Sequence, residues 1–145
     1  MHDPDSPIRT DTAPAPVGAY PHARRVGNLL FLSGVGPRVP GTDEVVGNVY
    51  NPLGTLVGHD IEAQCRQVFA NVRAVLEASG ARWQDLVDVT VFLTDMQRDF
   101  PTYNRLYAEH FAGVDACRTT VGITALPTPI AIELKCIAAL PAPPR

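Results

Sequence analysis

Arg118 and Glu133 are the two side chains of this sequence best suited to act together on a small anionic substrate. Arg118 lies inside Ala116-Cys117-Arg118-Thr119-Thr120, at the start of a β-rich run. A guanidinium there can take a carboxylate through two parallel hydrogen bonds. By position alone it reads as readily as an exposed or ion-paired arginine at a strand end. Glu133 interrupts the apolar run Ile130-Ala131-Ile132-Glu133-Leu134-Lys135-Cys136-Ile137. Strand alternation puts it on one face with Ala131, Lys135 and Ile137, away from Ile132, Leu134 and Cys136. If that face is buried, desolvation raises the pKa of Glu133 and suits it to general acid-base catalysis. If it meets solvent, Lys135 is simply its same-face neighbour.

Other polar residues read more plainly. Tyr20, in Gly18-Ala19-Tyr20-Pro21-His22, is an aromatic at a strand start, where packing is the common use. His22 reads as structural, and His59 and His110 as surface helix residues. Asn104 reads as a solvated helix position. Ser33-Gly34 ends a strand without the flanking glycines of a nucleophile elbow. Gly34-Val35-Gly36 lacks the third glycine and following helix of a phosphate loop. Cys117 adjoins Arg118, which can activate a thiol, but a buried and inert thiol is the expectation. The cysteines, Cys65, Cys117 and Cys136, are odd in number and form no C-x-x-C pair, so neither a zinc knuckle nor a disulfide framework is expected. Lys135 is the single lysine among 12 cationic residues, so Schiff-base or pyridoxal chemistry would rest on it alone.

The elements that must position these groups follow from pattern. The chain has 145 residues, 46% apolar and 19% charged, which suits one domain with a real core. Its net charge of −3 gives no electrostatic footprint for nucleic acid. No apolar stretch approaches ~20 residues and the N-terminus lacks a signal-peptide pattern, so no membrane span and a cytoplasmic location are expected. The proline-rich residues 1–16 read as a loose arm, 17–140 as a single domain and 141–145 as a tail. Two short strands, 20–26 and 29–33, flank the turn dipeptide Gly27-Asn28. Residues 35–59, dense in glycine and proline, read as one long loop. Asp60 can cap a helix to about Ser79, with a 3.6-residue stripe from Ile61 to Leu76 and Gly80 past its end. Residues 86–94 form a strand with Val87, Val89, Val91 and Leu93 on its apolar face. Asp99 can cap a second helix, with Pro101 in the first turn, a stripe of Tyr103, Leu106, Tyr107 and Phe111, and Gly113 as the stop. Residues 119–124 and 130–139 are two further strands whose natural pairing is an antiparallel hairpin through Leu126-Pro127-Thr128-Pro129. The order is β-β-α-β-α-β-β, an α+β class in which two helices cover one face of the sheet. The other face is mixed, with Thr90, Phe92, Glu133 and Ile137, as suits a subunit interface.

Together these segments resemble the RidA (YjgF) family of enamine/imine deaminases. The resemblance rests on Gly18-Ala19-Tyr20, Leu30-Phe31-Leu32-Ser33-Gly34, Gln64 through Asn71-Val72, Leu76 to Gly80, Leu86 to Phe92, Tyr103-Asn104 through Phe111, Arg118-Thr119-Thr120-Val121, Leu126-Pro127 and Ile132-Glu133-Leu134-Lys135. It implies a chorismate-mutase-like fold and a homotrimer with sites between subunits, acting without metal or cofactor. It places the carboxylate-binding arginine on Arg118 and the water-positioning residue on Glu133. The pocket tyrosine, serine and asparagine fall on Tyr20, Ser33 and Asn104, and Thr120 stands at a pocket-lining position where the generic type has cysteine. The generic type also has a Pro-Ala pair where this chain has Ala116-Cys117. Within the family the chain looks most like 2-aminomuconate deaminases, on Tyr20-Pro21-His22-Ala23-Arg24-Arg25, the Arg118-Thr119-Thr120 triplet, the Leu126-Pro127-x-Pro129 turn and the added length between Ser33 and Gln64. A second substrate carboxylate would need a second cation, for which Arg38 is preferred over Arg24 and Arg25. The alternatives are the generic 2-iminopropanoate/2-iminobutanoate activity, a non-catalytic carboxylate-binding regulatory trimer, and a ribonuclease, which the acidic chain disfavours.

Overall fold

The computed structural model describes residues 5–141. A six-stranded sheet takes β1 (Pro7–Ile8), β2 (Ala23–Val26), β3 (Leu29–Leu32), β8 (Ile132–Ala139), β6 (Leu86–Leu93) and β7 (Cys117–Gly122) in that spatial order. Helices α1 (Ile61–Ala78) and α2 (Met96–Phe111) cover one face of it. A separate hairpin joins β4 (Asn48–Tyr50) to β5 (Leu56–His59).

Helix α1 forms where its cap and stripe predict. The Asp60 side chain accepts from the Ala63 N–H at 3.2 Å, and Gly80, at φ +75°, turns the chain away. Cys65, Val68, Val72 and Leu76 are fully buried against the sheet. Helix α2 begins earlier than expected. Asp95, not Asp99, is the cap, accepting from the Arg98 N–H at 3.1 Å. Pro101 therefore falls in the second turn, and Asp99 is buried instead of capping.

The expected hairpin of the last two strands does not form. β6 lies between β8 and β7, antiparallel to the first and parallel to the second. A parallel neighbour needs a crossover, and α2 supplies it as the middle of a β-α-β unit. The proline-rich 124–131 segment then passes over the end of β6 rather than closing a turn.

Alternation along β8 holds as read. Ile132, Leu134, Cys136 and Ala138 are buried under the helices, while Glu133, Lys135 and Ile137 are half-buried on the far face. On β6 a bulge between Leu86 and Asp88 shifts the start of the pattern. Leu86 is buried and Val87 is 41% exposed, against the expected grouping of Val87 with Val89.

Residues 5–16 pack rather than hang loose. β1 pairs with β2, and Ile8 and Ala13 are buried. His22 ties the arm down, receiving the Thr10 N–H on Nδ1 at 3.3 Å and holding the Pro14 carbonyl on Nε2 at 2.9 Å. Residues 1–4 of the arm and 142–145 of the tail lie outside the described residues.

The expected 35–59 loop contains the β4–β5 hairpin, pinned from outside itself. Asn48 Nδ2 donates to the Pro129 carbonyl at 2.7 Å. The segment before it is held by buried Asn71, whose Nδ2 donates to the carbonyls of Gly36 and Arg38 at 2.8 and 2.7 Å. Asn71→Ala leaves both carbonyls without that donor and should destabilise the fold by roughly 2–4 kcal/mol, measurable by urea unfolding. Among the described residues no helix is long and apolar enough to cross a membrane.

Candidate active site

The side chains singled out by sequence form two separate groups on opposite faces of the sheet. The first surrounds Arg118 on β7, an outer strand. Arg118 pairs in register with Val89, whose side chain faces the helices, so the guanidinium reaches over α2. Nη1 donates to Asn104 Oδ1 at 2.8 Å. The guanidinium carbon sits 4.8 Å from the ring centre of Tyr107 and 5.4 Å from that of Tyr103. Both tyrosines project from α2 on the same side as Asn104, because residues one helical turn apart share a face. Tyr103 is fixed in turn by a 3.0 Å hydroxyl–hydroxyl bond with Thr120, two residues along β7 from Arg118. Tyr107 stacks on Phe111 with ring centres 3.9 Å apart. Burial raises the pKa of both phenols, to about 12 for Tyr107, so they stay neutral beside the cation. Asn104 and the two rings hold Arg118 while its remaining N–H edge, exposed in this chain, is open to a carboxylate.

The second group surrounds Glu133. On β8 it pairs with Phe92, on the face away from the helices. Its carboxyl rests against Gly34: a Cβ at residue 34 would lie 3.0 Å from the carboxyl carbon. Burial raises its pKa, and no described residue supplies it a hydrogen bond or a counter-ion. A cavity of about 60 Å³ opens beside it, lined by Tyr20, Gly34, Arg38, Pro127, Thr128 and Glu133. That volume suits one or two waters, not a carboxylic acid of several carbons. Tyr20 is 37% exposed, and its hydroxyl accepts the Val17 N–H at 3.2 Å. The structure brings Arg38 to this cavity with one of its donors engaged. Nη2 donates to the Ala15 carbonyl and Nη1 lies 3.8 Å from Asp43. Ser33 lines an adjoining cavity with Tyr20, and its hydroxyl donates to the Pro21 carbonyl at 2.7 Å. Lys135 Nζ donates to the Leu32 carbonyl, and burial lowers its pKa.

Arg118 and Glu133 are therefore not brought together within one chain. They lie on opposite faces of the sheet, with two strand spacings between them. Their partners on β6 are three residues apart, about 10 Å along the strand. Three further expectations change. His59 ends β5 and binds the buried Asp99 rather than facing solvent from a helix. His110 packs on Phe69 at 4.8 Å. Cys117 is exposed, not buried. Tyr103 and Tyr107, which sequence reads only as core stripe, hold Arg118. Their spacing around Asn104 on one helix face was the available signal. At Gly34, Gly34→Ala should push the Glu133 carboxyl aside and lower turnover about tenfold or more with little loss of stability. Steady-state kinetics beside a thermal melt would show it.

The sequence profile of the family described as Endoribonuclease L-PSP matches residues 10–140. A RutC family protein of Pyrococcus horikoshii is 40% identical over 90% of this chain and 94% of its own length. A protein of Dermatophagoides farinae named 2-iminobutanoate/2-iminopropanoate deaminase is 36% identical over 90% of this chain and 92% of its own. The crystal structure of RidA from an Antarctic Psychrobacter superposes with a TM-score of 0.80 at 32% identity, covering 93% of this chain and 99% of that one.

Proposed function

The chain belongs to the endoribonuclease L-PSP family, which includes the RidA proteins, and we propose that it is a deaminase that hydrolyses a carboxylate-bearing enamine through its imine tautomer. The observation that carries this reading is the presentation of Arg118. It is held by Asn104 and two neutral phenols with a donor edge left open. The carboxylate docks on that edge, which fixes the adjacent C–N carbon. Tautomerisation gives an imine, water adds to its carbon, and collapse of the carbinolamine yields the oxo acid and ammonia. The imine carbon is electrophilic already, so the reading needs no metal, cofactor or covalent nucleophile. Glu133 takes the proton from the attacking water and returns one to the departing nitrogen.

Because the two groups lie apart in one chain, each site is formed by Arg118 of one copy and Glu133 of another, in a homotrimer. The far sheet face supports this: Phe31, Phe92, Val121 and Ile137 are only half-buried there, as befits a surface covered by a second copy. The favoured substrate is 2-aminomuconate, giving 2-oxo-3-hexenedioate. Its second carboxylate is met by Arg38, which shares the Glu133 cavity and releases Asp43 or the Ala15 carbonyl to do so. The generic reading, 2-iminopropanoate or 2-iminobutanoate, is the one named by the Dermatophagoides relative. The net charge of −3 does not favour RNA as the substrate that the family's description suggests.

Ammonia release from 2-aminomuconate and from 2-aminoacrylate, with wild type and Arg38→Ala, separates these readings. The dicarboxylate reading expects the first to be preferred and that preference to vanish in Arg38→Ala. Binding without ammonia release, unchanged in Glu133→Ala, would instead make the chain a regulatory carboxylate binder.

The pH profile follows from Glu133. Its working form is the carboxylate, and burial raises its pKa above the ordinary carboxylate range. Activity should therefore fall on the acid side at a pH above that range, and Glu133→Gln should abolish this limb along with most of the rate. Stability runs the opposite way, because burial penalises the carboxylate and favours the protonated form. The favourable contribution is present below the unfolded-state pKa and is lost as pH rises through the folded one.

A further inference from the structure

Beside the Glu133 cavity, a second cavity of about 260 Å³ lies between the β4–β5 hairpin, the end of β6 and the 124–131 segment. His59, Thr94, Thr124 and Thr128 give it polar walls, and Leu56 and Ile130 apolar ones. His59 is held from behind. Its Nε2 is 2.7 Å from Asp99 Oδ2, with the Asp99 side chain 1% exposed and that of His59 16% exposed. A carboxylate only accepts, so Nε2 carries the hydrogen, and in the neutral ring Nδ1 keeps the lone pair that a donor ligand needs. The second Asp99 oxygen is buried and has no hydrogen-bond partner among the described residues. Its near cation is Arg98, with Nε at 4.0 Å, which also donates from Nη2 to the His59 carbonyl at 3.1 Å.

The charges around this dyad are unbalanced. Asp60, next to His59, caps α1, and Asp95, next to Thr94, caps α2. With Asp99 and Glu62 they outnumber the nearby cations Arg66, Arg98 and Arg105. Cys65 on α1, close to Asp99, stays a neutral thiol because burial pushes it up to about 12. Neither lysine nor arginine lines the cavity. An imidazole lone pair and three threonine hydroxyls in a negatively biased surround attract a cationic donor and repel a carboxylate.

We propose that this cavity is a second ligand site, taking a small primary ammonium compound. Its nitrogen donates to His59 Nδ1 and the threonine hydroxyls, and its short carbon chain lies along Leu56 and Ile130. The volume lies just under the range of drug-sized pockets, so it holds a small ligand of roughly benzene size or somewhat larger. Thr128 and Ile130 also line the Glu133 cavity, so the two share a wall, but the inference stands without the deaminase reading.

Propylammonium and propionate titrations, followed by NMR without any substrate turning over, test it directly. Propylammonium should move the His59 ring signals and the Thr94, Thr124 and Thr128 amides, while propionate leaves them in place. His59→Leu should weaken the propylammonium response about tenfold or more, the value of a hydrogen bond to a charged group. Asp99→Asn, which keeps the shape of the side chain, should weaken it as well and serves if His59→Leu does not fold. No propylammonium response at these residues, an equal response to propionate, or unchanged affinity in the variants overturns the proposal. Loss of deaminase activity would leave the titration untouched, so the two readings fail separately.

Discussion

Arg118→Ala is expected to lower kcat/KM for a carboxylate-bearing enamine by about a thousandfold, equivalent to roughly 4 kcal/mol of lost transition-state stabilisation. Two effects add. The substrate loses a bidentate ionic contact, and its reacting carbon loses the orientation that contact gave. The cost to folding should be small, because the side chain is exposed on an outer strand and fills no core volume. Arg118→Lys is the sharper control. An ammonium keeps the charge but cannot lie flat across Tyr103 and Tyr107 while it also reaches Asn104 and grips two oxygens. It should recover only a minor part of the rate. Ammonia release at saturating and limiting substrate reads both variants. Retention of more than about a tenth of wild-type kcat/KM by the alanine variant would remove Arg118 from the chemistry and leave it as a surface arginine.

Where local chemistry decides the structure, the sequence is readable. Asp60, the stripe from Ile61 to Leu76 and Gly80 act through neighbours within a few residues, so α1 is visible in the chain itself. Alternation along β8 likewise places Glu133 on the correct face, since side-chain direction in a strand is purely local. Most misreadings concern partners distant in sequence, the bulge that turns Val87 outward being local. The order of β8, β6 and β7 depends on the crossover made by α2, which no short-range pattern encodes. The cap of α2 was ambiguous between two aspartates. Asp99 was diverted by His59, a residue 40 positions away. The arm looked loose because Pro7 and Ile8 form only a two-residue strand, and His22 completes the tether through side-chain bonds. The candidate site shows the same division. Residue types at Arg118 and Glu133 were legible, but their assignment to opposite faces was not, because it needs the register of both strands against β6.

That separation makes its own prediction, and a demanding one. If every site draws Arg118 from one copy and Glu133 from another, Arg118→Ala and Glu133→Ala chains are each inactive alone but complementary when mixed. A site works only where the copy supplying the arginine carries the Glu133→Ala change and its neighbour carries the Arg118→Ala change. For chains unfolded together in equal amounts and reassembled at random, each condition holds half the time. About a quarter of wild-type activity should therefore return in a closed symmetric assembly. Refolding each variant separately and mixing afterwards should restore nothing until subunits exchange, which guards against contamination. Two groups acting within one chain would give the opposite result, since no mixture of singly defective chains contains an intact site. The outcome bears on substrate size as well. The cavity beside Glu133 holds only about 60 Å³, so under the shared-site reading the space for a six-carbon diacid would come from a cleft between copies. Recovery in the mixture with a monocarboxylate enamine, but not with a dicarboxylate, would keep the shared site and set aside 2-aminomuconate.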